Sequence, residues 1–455
     1  MPAVLRASAA IERAGIPTVA VIGRVWQRQA EVNASYLNLP DLPMAVFQTD
    51  LMRDGAAWDE EELHGTLSDQ IVSGLTGTVA SSAAAGTEPA PREIVATGTF
   101  DEINQFFDER LWGDGYPVVP PTLARVDAML EHTDRDPDEV LGILPAELRQ
   151  LTVWSVAVSG VMAGCKPEHL PVLLAAAECL ADPEYRIEDF GTAPSWEPLL
   201  IVSGPVIDHL GFNAGAAAMR PGRRANTAIG RALRLLCTNV AGFRTETGSD
   251  LAGFGNPINI ALAEDEQTVR EIGWATYGEE RGLAAGESGV TLMGVIGTSP
   301  PTLQTYYGPD ASIRTDLEPL VDVFGRGMCG WWTFTGAVFG RWHPLVVISP
   351  GFARKMAAEG FGKDDLRQHL YDECRTTAAK LERDGEFIGI DIAKNVKAGI
   401  LPATYLESDD PQRSVPIFVR PDWIGVVVAG GDVVSLQRGL MNNHQQGAPV
   451  TRRIR

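Results

Sequence analysis

The residues best placed to do chemistry lie between Pro221 and Leu236, in PGRRANTAIGRALRLL. At the helical repeat of roughly 100° per residue, Arg223, Thr227, Gly230, Arg231 and Arg234 fall on one stripe, and Ala225, Ile229, Ala232, Leu233 and Leu236 fall opposite. One face packs while the other presents guanidinium groups. Pro221 and Gly222 turn the chain into this helix, so its first backbone N–H groups add positive potential beside Arg223 and Arg224. A carboxylate, a phosphate or an acidic partner loop suits such a surface. A solvated face paired with the chain's own carboxylates fits the same pattern.

Cys165 is the candidate for a reactive thiol. In GVMAGCKPEHLPVLL it stands just before Pro167, an expected first helical position. Helix N-terminal amides and Lys166 favour the thiolate, Glu168 opposes it, and His169 is a candidate proton acceptor. A small apolar residue closing a helix–helix turn would leave the same pattern. Cys179, Cys237 and Cys374 fall inside helical patterns and are expected in the core, while Cys329 in RGMCGWW is left open. The carboxylates Asp114, Asp250, Glu264, Asp265 and Glu266 lie in loops or at an element end, where general acids and bases commonly project. Glu264 and Glu266 share a face if the strand INIALA continues through them, and one of the two could pair with the arginine stripe. The five cysteines and seven histidines show neither metal-ligand nor disulfide spacing, so no metal or other cofactor is expected. Trp331, Trp332, Phe334 and Phe339 suit an aromatic pocket wall and equally a core or interface.

The elements that must position these residues follow an α/β pattern. IPTVAVIG (16–23) and PMAVFQ (43–48) are strand candidates, each followed by a helical stretch, the second over roughly 59–75. This small parallel module, residues 1–75, is followed by the Ala/Ser/Gly/Pro-rich linker 76–93. A large catalytic or substrate-binding domain is expected over 94–340, with helices at 101–112 and 123–132 flanking the Gly/Pro loop GDGYPVVPPT. Residues 149–180 read as two helices broken at Gly164–Pro167, and LLIVSGPV (199–206) and GVTLMGVIG (289–297) as strands. A C-terminal α/β domain is expected over 341–455, with a strand in PLVVISPG, helices at 352–358 and 363–384, and a buried strand in WIGVVVAGGDV. Gly430 and Gly431 after that strand could bring backbone close to a ligand or simply make a tight turn.

With 455 residues and 45% apolar content, the chain can bury two or three cores. Its formal charge of −21 repels nucleic acid and anionic membranes. It contains neither an apolar run of the roughly 20 residues that span a bilayer nor a signal-peptide pattern, so a cytoplasmic location is expected.

Several segments resemble a known family. WGDGYPVVPPT, VMAGCKPEHLPVLLAA, PGRRANTAIGRALRLLCTNVAGF and GNPINIALAEDE, in this order, resemble the large component associated with bacterial UGSC-type (seleno)proteins. IFVRPDWIGVVVAGGDV is similar to the end of that component. ERAGIPTVAVIG followed by LNLPDLPMAVF resembles the UGSC module itself, and IERAGIPTV is also similar to the selenoprotein subunit of the glycine reductase group. The resemblance implies a thiol or selenol before the first helix, yet no cysteine precedes Cys165 here. That group is truncated away, lost or supplied by another polypeptide. The resemblance further implies a pocket lined by Asp114, Cys165, Lys166, Glu168, Asn226, Arg231, Asp250 and Glu264.

The expected activity is therefore that of a small-molecule enzyme binding an anionic metabolite through Arg223 and Arg231. It would cleave or form a carbon–sulfur or carbon–nitrogen bond as a lyase or thiol-dependent reductase, with a redox-neutral variant open. A second expectation is a non-catalytic subunit that binds substrate and docks a thiol-bearing protein. A nucleotide-dependent oxidoreductase is a third, weakened by the lack of G-x-G-x-x-G after a strand. Self-association into a homo-oligomer is also expected.

Overall fold

The computed structural model describes residues 2–24, 27, 30–31, 34, 39–48, 60–77, 90, 92–144, 149–187, 190, 196–244, 259–303, 312–324, 342–387, 391–432, 436–441 and 447–455. It divides into two units. The first comprises Met1–Gly164, Ile187–Ser195 and Arg234–Gly255, and the second Cys165–Arg186, Trp196–Leu233 and Asn256–Arg455.

In the first unit, β1 (Ala20–Gly23) and β2 (Met44–Phe47) pair in parallel with Ala20 opposite Met44. Leu5 of the helix Pro2–Arg13 packs with Ala20 and Ile22. On the helical run that closes the module, Leu67 packs with Ala45 and Phe47, and the run departs from helical geometry at Gly65. The two parallel strands and the closing helical run agree with the sequence pattern, and the helix expected between the strands lies largely outside the described residues. Further along, Thr99 and Glu102 form a capping box that starts the helix Phe100–Asp108, and a second helix spans Leu123–Leu130. Residues 149–152, expected to be helical, instead form β4 (Arg149–Thr152), antiparallel to β3 (Val140–Leu144). The helix Val153–Met162 begins only after Thr152, whose side chain accepts from Ser155 N–H at 3.1 Å.

The second unit holds the remaining strands. These are β5 (Glu197–Ser203), β6 (Ala261–Ala263), β7 (Gly289–Val295), β8 (Gly297–Thr298), β9 (Thr302–Leu303), β10 (Leu345–Ile348), β11 (Arg375–Thr377), β12 (Ser414–Pro416), β13 (Gly425–Val428), β14 (Leu436–Met441) and β15 (Val450–Arg453). One sheet runs β15-β7-β5-β6, with β5 and β6 parallel. The other runs β13-β10-β14-β8, with β9 also on β14, and β10 and β13 are parallel. The fold is thus α/β with mixed sheets.

Every residue of β5 and β7 is buried, which explains why both read as continuous apolar runs. Ile201, Leu262 and Met293 of the first sheet share a core with Val347, Val427 and Leu440 of the second, so the sheets lie face to face. Alternate residues Val346, Ile348, Val426 and Val428 point the other way, into a core with Leu317, Met356 and Leu366. Those three belong to the helices Ile313–Asp322, Pro350–Ala358 and Lys363–Glu373. The helix Leu170–Ala181 covers β7 and β15. The unit is therefore layered helix, sheet, sheet, helix.

Two expectations are corrected by this topology. The boundary expected at 340–341 does not separate a C-terminal domain, because β14 pairs with β8, β9 and β10 and so joins strands from both sides of it in one sheet. The single helix expected over 363–384 breaks at Cys374, where the next three residues pair with β12 before the helix Ala378–Phe387 begins. Gly430 turns with φ of 110° and donates its N–H to the Ala214 carbonyl at 2.8 Å, so the turn secures backbone. Among the described residues no helix is long and apolar enough to cross a membrane.

Candidate functional site

The arginine helix spans Arg224–Asn239, and its exposure follows the predicted faces. Arg223 and Arg224 are exposed and Thr227, Arg231 and Arg234 half-buried, whereas Ala225, Ile229, Ala232, Leu233 and Leu236 are buried. Gly230 is the exception on the arginine stripe. A Cβ there would stand 2.4 Å from Ile260 Cα and 2.5 Å from Ile260 N, so this glycine is the contact point between the helix and the segment leading into β6. Asn226 serves the same junction. Its Nδ2 donates to the Ala261 carbonyl at 2.9 Å and to the Asn213 carbonyl at 3.0 Å, and its Oδ1 accepts from Asn213 N–H at 2.8 Å. Its amide is spent on peptide groups, which corrects the expectation that Asn226 binds substrate.

The structure brings Arg224 and Arg231 near Cys165 and Arg224 near His169, yet the Cys165 thiol is disfavoured as a thiolate. Cys165 is only half-buried by surface exposure, but the protein atoms packed around it desolvate the thiol and push it up, outweighing the downward pull of Arg224 and Arg231. The α-helix proper starts only at Leu170, after the 3-10 turn Pro167–His169, and so lies further from Cys165 than the sequence pattern implies. Lys166 pairs instead with Glu168 at 3.1 Å, both half exposed. His169 is buried, and burial holds its imidazole down at about 4. Its Nδ1 accepts from Lys166 N–H at 3.3 Å, which places the proton of the neutral ring on Nε2. The acceptor nitrogen expected to deprotonate Cys165 is already engaged.

Glu264 stands elsewhere, and its surroundings are chemically richer. It follows β6 directly and has no exposed surface. Its Oε2 accepts from Tyr277 N–H at 2.5 Å and its Oε1 from Val428 N–H at 3.4 Å, so it ties the ends of β6 and β13 together. Burial lifts its carboxyl to about 7 against the opposing pull of Lys363, whose Nζ lies 3.5 Å from Oε1. Lys363 is itself buried at 5% exposure, and its Nζ also donates to the Ala275 carbonyl at 2.9 Å and to Glu280 Oε2 at 3.3 Å. Arg367 completes the chain by donating Nη2 to the same Glu280 oxygen at 3.0 Å, Nε to the Ile424 carbonyl and Nη1 to Asp364. Neither Glu264 nor Glu266 pairs with the arginine stripe. Glu266 instead accepts from Gly204 N–H at 2.6 Å and pairs with Arg270 at 3.1 Å.

Glu280 and Arg367 line a cleft of about 430 Å³ together with Tyr277, Arg281, His343 and Trp423. Its volume suits a small metabolite. The Arg281 guanidinium bonds the Pro449 carbonyl through Nη2, while its Nε–H is shielded from solvent and has no acceptor among the described residues. That uncompensated donor adds positive field to the wall. His343 is buried with its ring 4.9 Å from that of Trp423, and burial keeps the Tyr277 hydroxyl protonated by pushing it up to about 12. Asp364 and Asp422 line the cleft as well, so Arg281 is a lone guanidinium beside three carboxylates and the already paired Arg367, and a chain of proton-bearing groups leads from the cleft to a carboxyl poised near neutrality. Among the described residues no group of three or more His, Cys, Asp and Glu could hold a metal ion.

Sequence reasoning reached Glu264 and missed Lys363, Glu280, Arg281 and Arg367. Lys363 did carry a signal: it shares the helical face of Leu366 and Leu370, where a cation needs a buried anion. Asp114 is half-buried in the turn between Gly113 and Gly115 of the first unit. Asp250, Cys329, Trp331, Trp332, Phe334 and Phe339 lie outside the described residues. The chain matches no family model, no curated protein and no solved structure.

Proposed function

We propose that the protein is a small-molecule enzyme whose second unit binds an anionic metabolite in the Glu280–Arg281–His343 cleft and breaks or forms a carbon–sulfur or carbon–nitrogen bond by proton transfer. The observation that carries this reading is the charge chain Glu264–Lys363–Glu280–Arg367, sealed from water at Glu264 and reaching the cleft wall at Glu280 and Arg367. Burial that raises the Glu264 carboxyl to about 7 behind a cleft suits a group that exchanges protons near neutral pH. The bond type follows the resemblance of the sequence segments to the UGSC-type large component.

In this reading Arg281 holds the substrate anion and Glu280 is the base. Glu280 Oε1 has no hydrogen bond among the described residues, because both cations bond Oε2. In the elimination direction Glu280 takes a C–H proton, the carbon–sulfur or carbon–nitrogen bond breaks with its electron pair leaving on the heteroatom, and that heteroatom is protonated from His343. Lys363 relays the proton taken by Glu280 to Glu264, and the reaction needs no external oxidant or reductant.

The test is to incubate the purified protein with a panel of carboxylates bearing thioether or amino leaving groups and to read the products by mass spectrometry. Wild-type protein converts at least one compound. Glu280→Gln abolishes turnover while the fold survives by circular dichroism, and Arg281→Met raises KM more than it lowers kcat. Glu280→Gln turning over at the wild-type rate would refute the assignment. Turnover appearing only after a thiol-bearing protein is added would favour the partner-subunit reading instead.

A further inference from the structure

The first unit contains a second and different cleft, of about 1060 Å³. Its floor is apolar and aromatic, built from Phe107, Trp112, Trp154, Val158 and Met162. The rings of Phe107 and Trp112 meet edge to face at 5.7 Å, and the Arg92 guanidinium lies 4.9 Å from the Trp154 ring. Four large apolar side chains on its wall are exposed to water, Ile94 at 67%, Phe100 at 52%, Leu123 at 44% and Val95 at 37%. Apolar surface gathered in a concave site is what an apolar ligand would cover.

The charges of the cleft run against those of the chain. Three arginines and one glutamate line it, in a protein of formal charge −21. Arg92 is paired with Asp138 at 2.6 Å, and Arg149 donates to the Asn239 carbonyl at 2.8 Å. Ser155 and Ser159 spend their hydroxyls on the Thr152 and Ser155 carbonyls. Arg125 differs: it is exposed and donates only Nη1, to the Pro120 carbonyl at 3.0 Å, among the described residues. An apolar floor beside an available guanidinium is the complement of one ligand chemistry.

We propose that this cleft binds an amphipathic carboxylate, with its hydrocarbon body against Trp112, Trp154 and Met162 and its carboxylate on Arg125. The proposal does not depend on the catalytic reading of the second unit. The experiment is calorimetric titration of the full chain with laurate below its micellar concentration, beside dodecanol and butyrate. Laurate binds saturably, dodecanol binds about tenfold more weakly for want of a charged head, and butyrate does not bind. Arg125→Gln, a surface change, brings laurate down to the affinity of dodecanol and leaves dodecanol unchanged, while Val158→Phe weakens both by filling the floor. Equal affinities for laurate and dodecanol, or laurate binding unchanged in Arg125→Gln, would overturn the placement of the carboxylate. Absence of saturable laurate binding would overturn the site.

Discussion

Replacing Glu264 by glutamine keeps the shape of the side chain and removes its titration. The carboxyl has no exposed surface, and burial raises it from an ordinary 4.5 to about 7. Between those two values the folded chain holds a proton that the unfolded chain has already released. The contribution of this group to stability is therefore complete below 4.5 and is lost as pH rises through 7. At about 1.4 kcal/mol per pH unit, the interval corresponds to on the order of 3 kcal/mol. Urea unfolding of the wild type and Glu264→Gln at about pH 5 and about pH 8 isolates the effect, because every other titrating group is common to both. The variant gains on the wild type by on the order of 3 kcal/mol as pH rises across that range. Parallel pH curves, or a wild type that gains on the variant, would refute the reasoning. Parallel curves would mean that Lys363, at 3.5 Å, holds the carboxyl at or below 4.5 as an ordinary ion pair, and Glu264 would then have no neutral form to offer a proton relay.

Two further outcomes follow from the packing. Gly230→Ala places a Cβ within 2.4–2.7 Å of the Ile260 backbone and forces the helix from its strand, lowering stability by about 2 kcal/mol in denaturant unfolding; a loss under about 0.5 kcal/mol would contradict the contact. At neutral pH a limiting alkylator modifies Cys165 far more slowly than a free thiol, since desolvation raises its thiol, and peptide mass spectrometry showing it labelled as fast as glutathione would contradict that environment.

Local pattern carried much of the architecture. The continuous apolar runs of β5, β7 and β13 and the two faces of the arginine helix are consequences of burial periodicity, and the folded chain keeps them. Local pattern failed where pairing overrode it. Residues 149–152 look helical beside the helix that follows them, yet β3 recruits them as a strand, and residues 375–377 leave a helical run to pair with β12.

At the candidate site the division is sharper. Residue type alone marked Glu264 as an acid at a strand end and Arg231 as a half-exposed cation on an amphipathic helix. Tertiary structure decided the partner of Glu264, a lysine 99 positions away, and it disfavours the expected thiolate at Cys165 through desolvation that no local spacing announces. Hydrophobic period is a property of neighbours along the chain, so the sequence by itself determined which faces are buried. Desolvation and charge pairing depend on atoms brought together from distant segments, so only the fold could decide which ionisable group is poised and which is silenced.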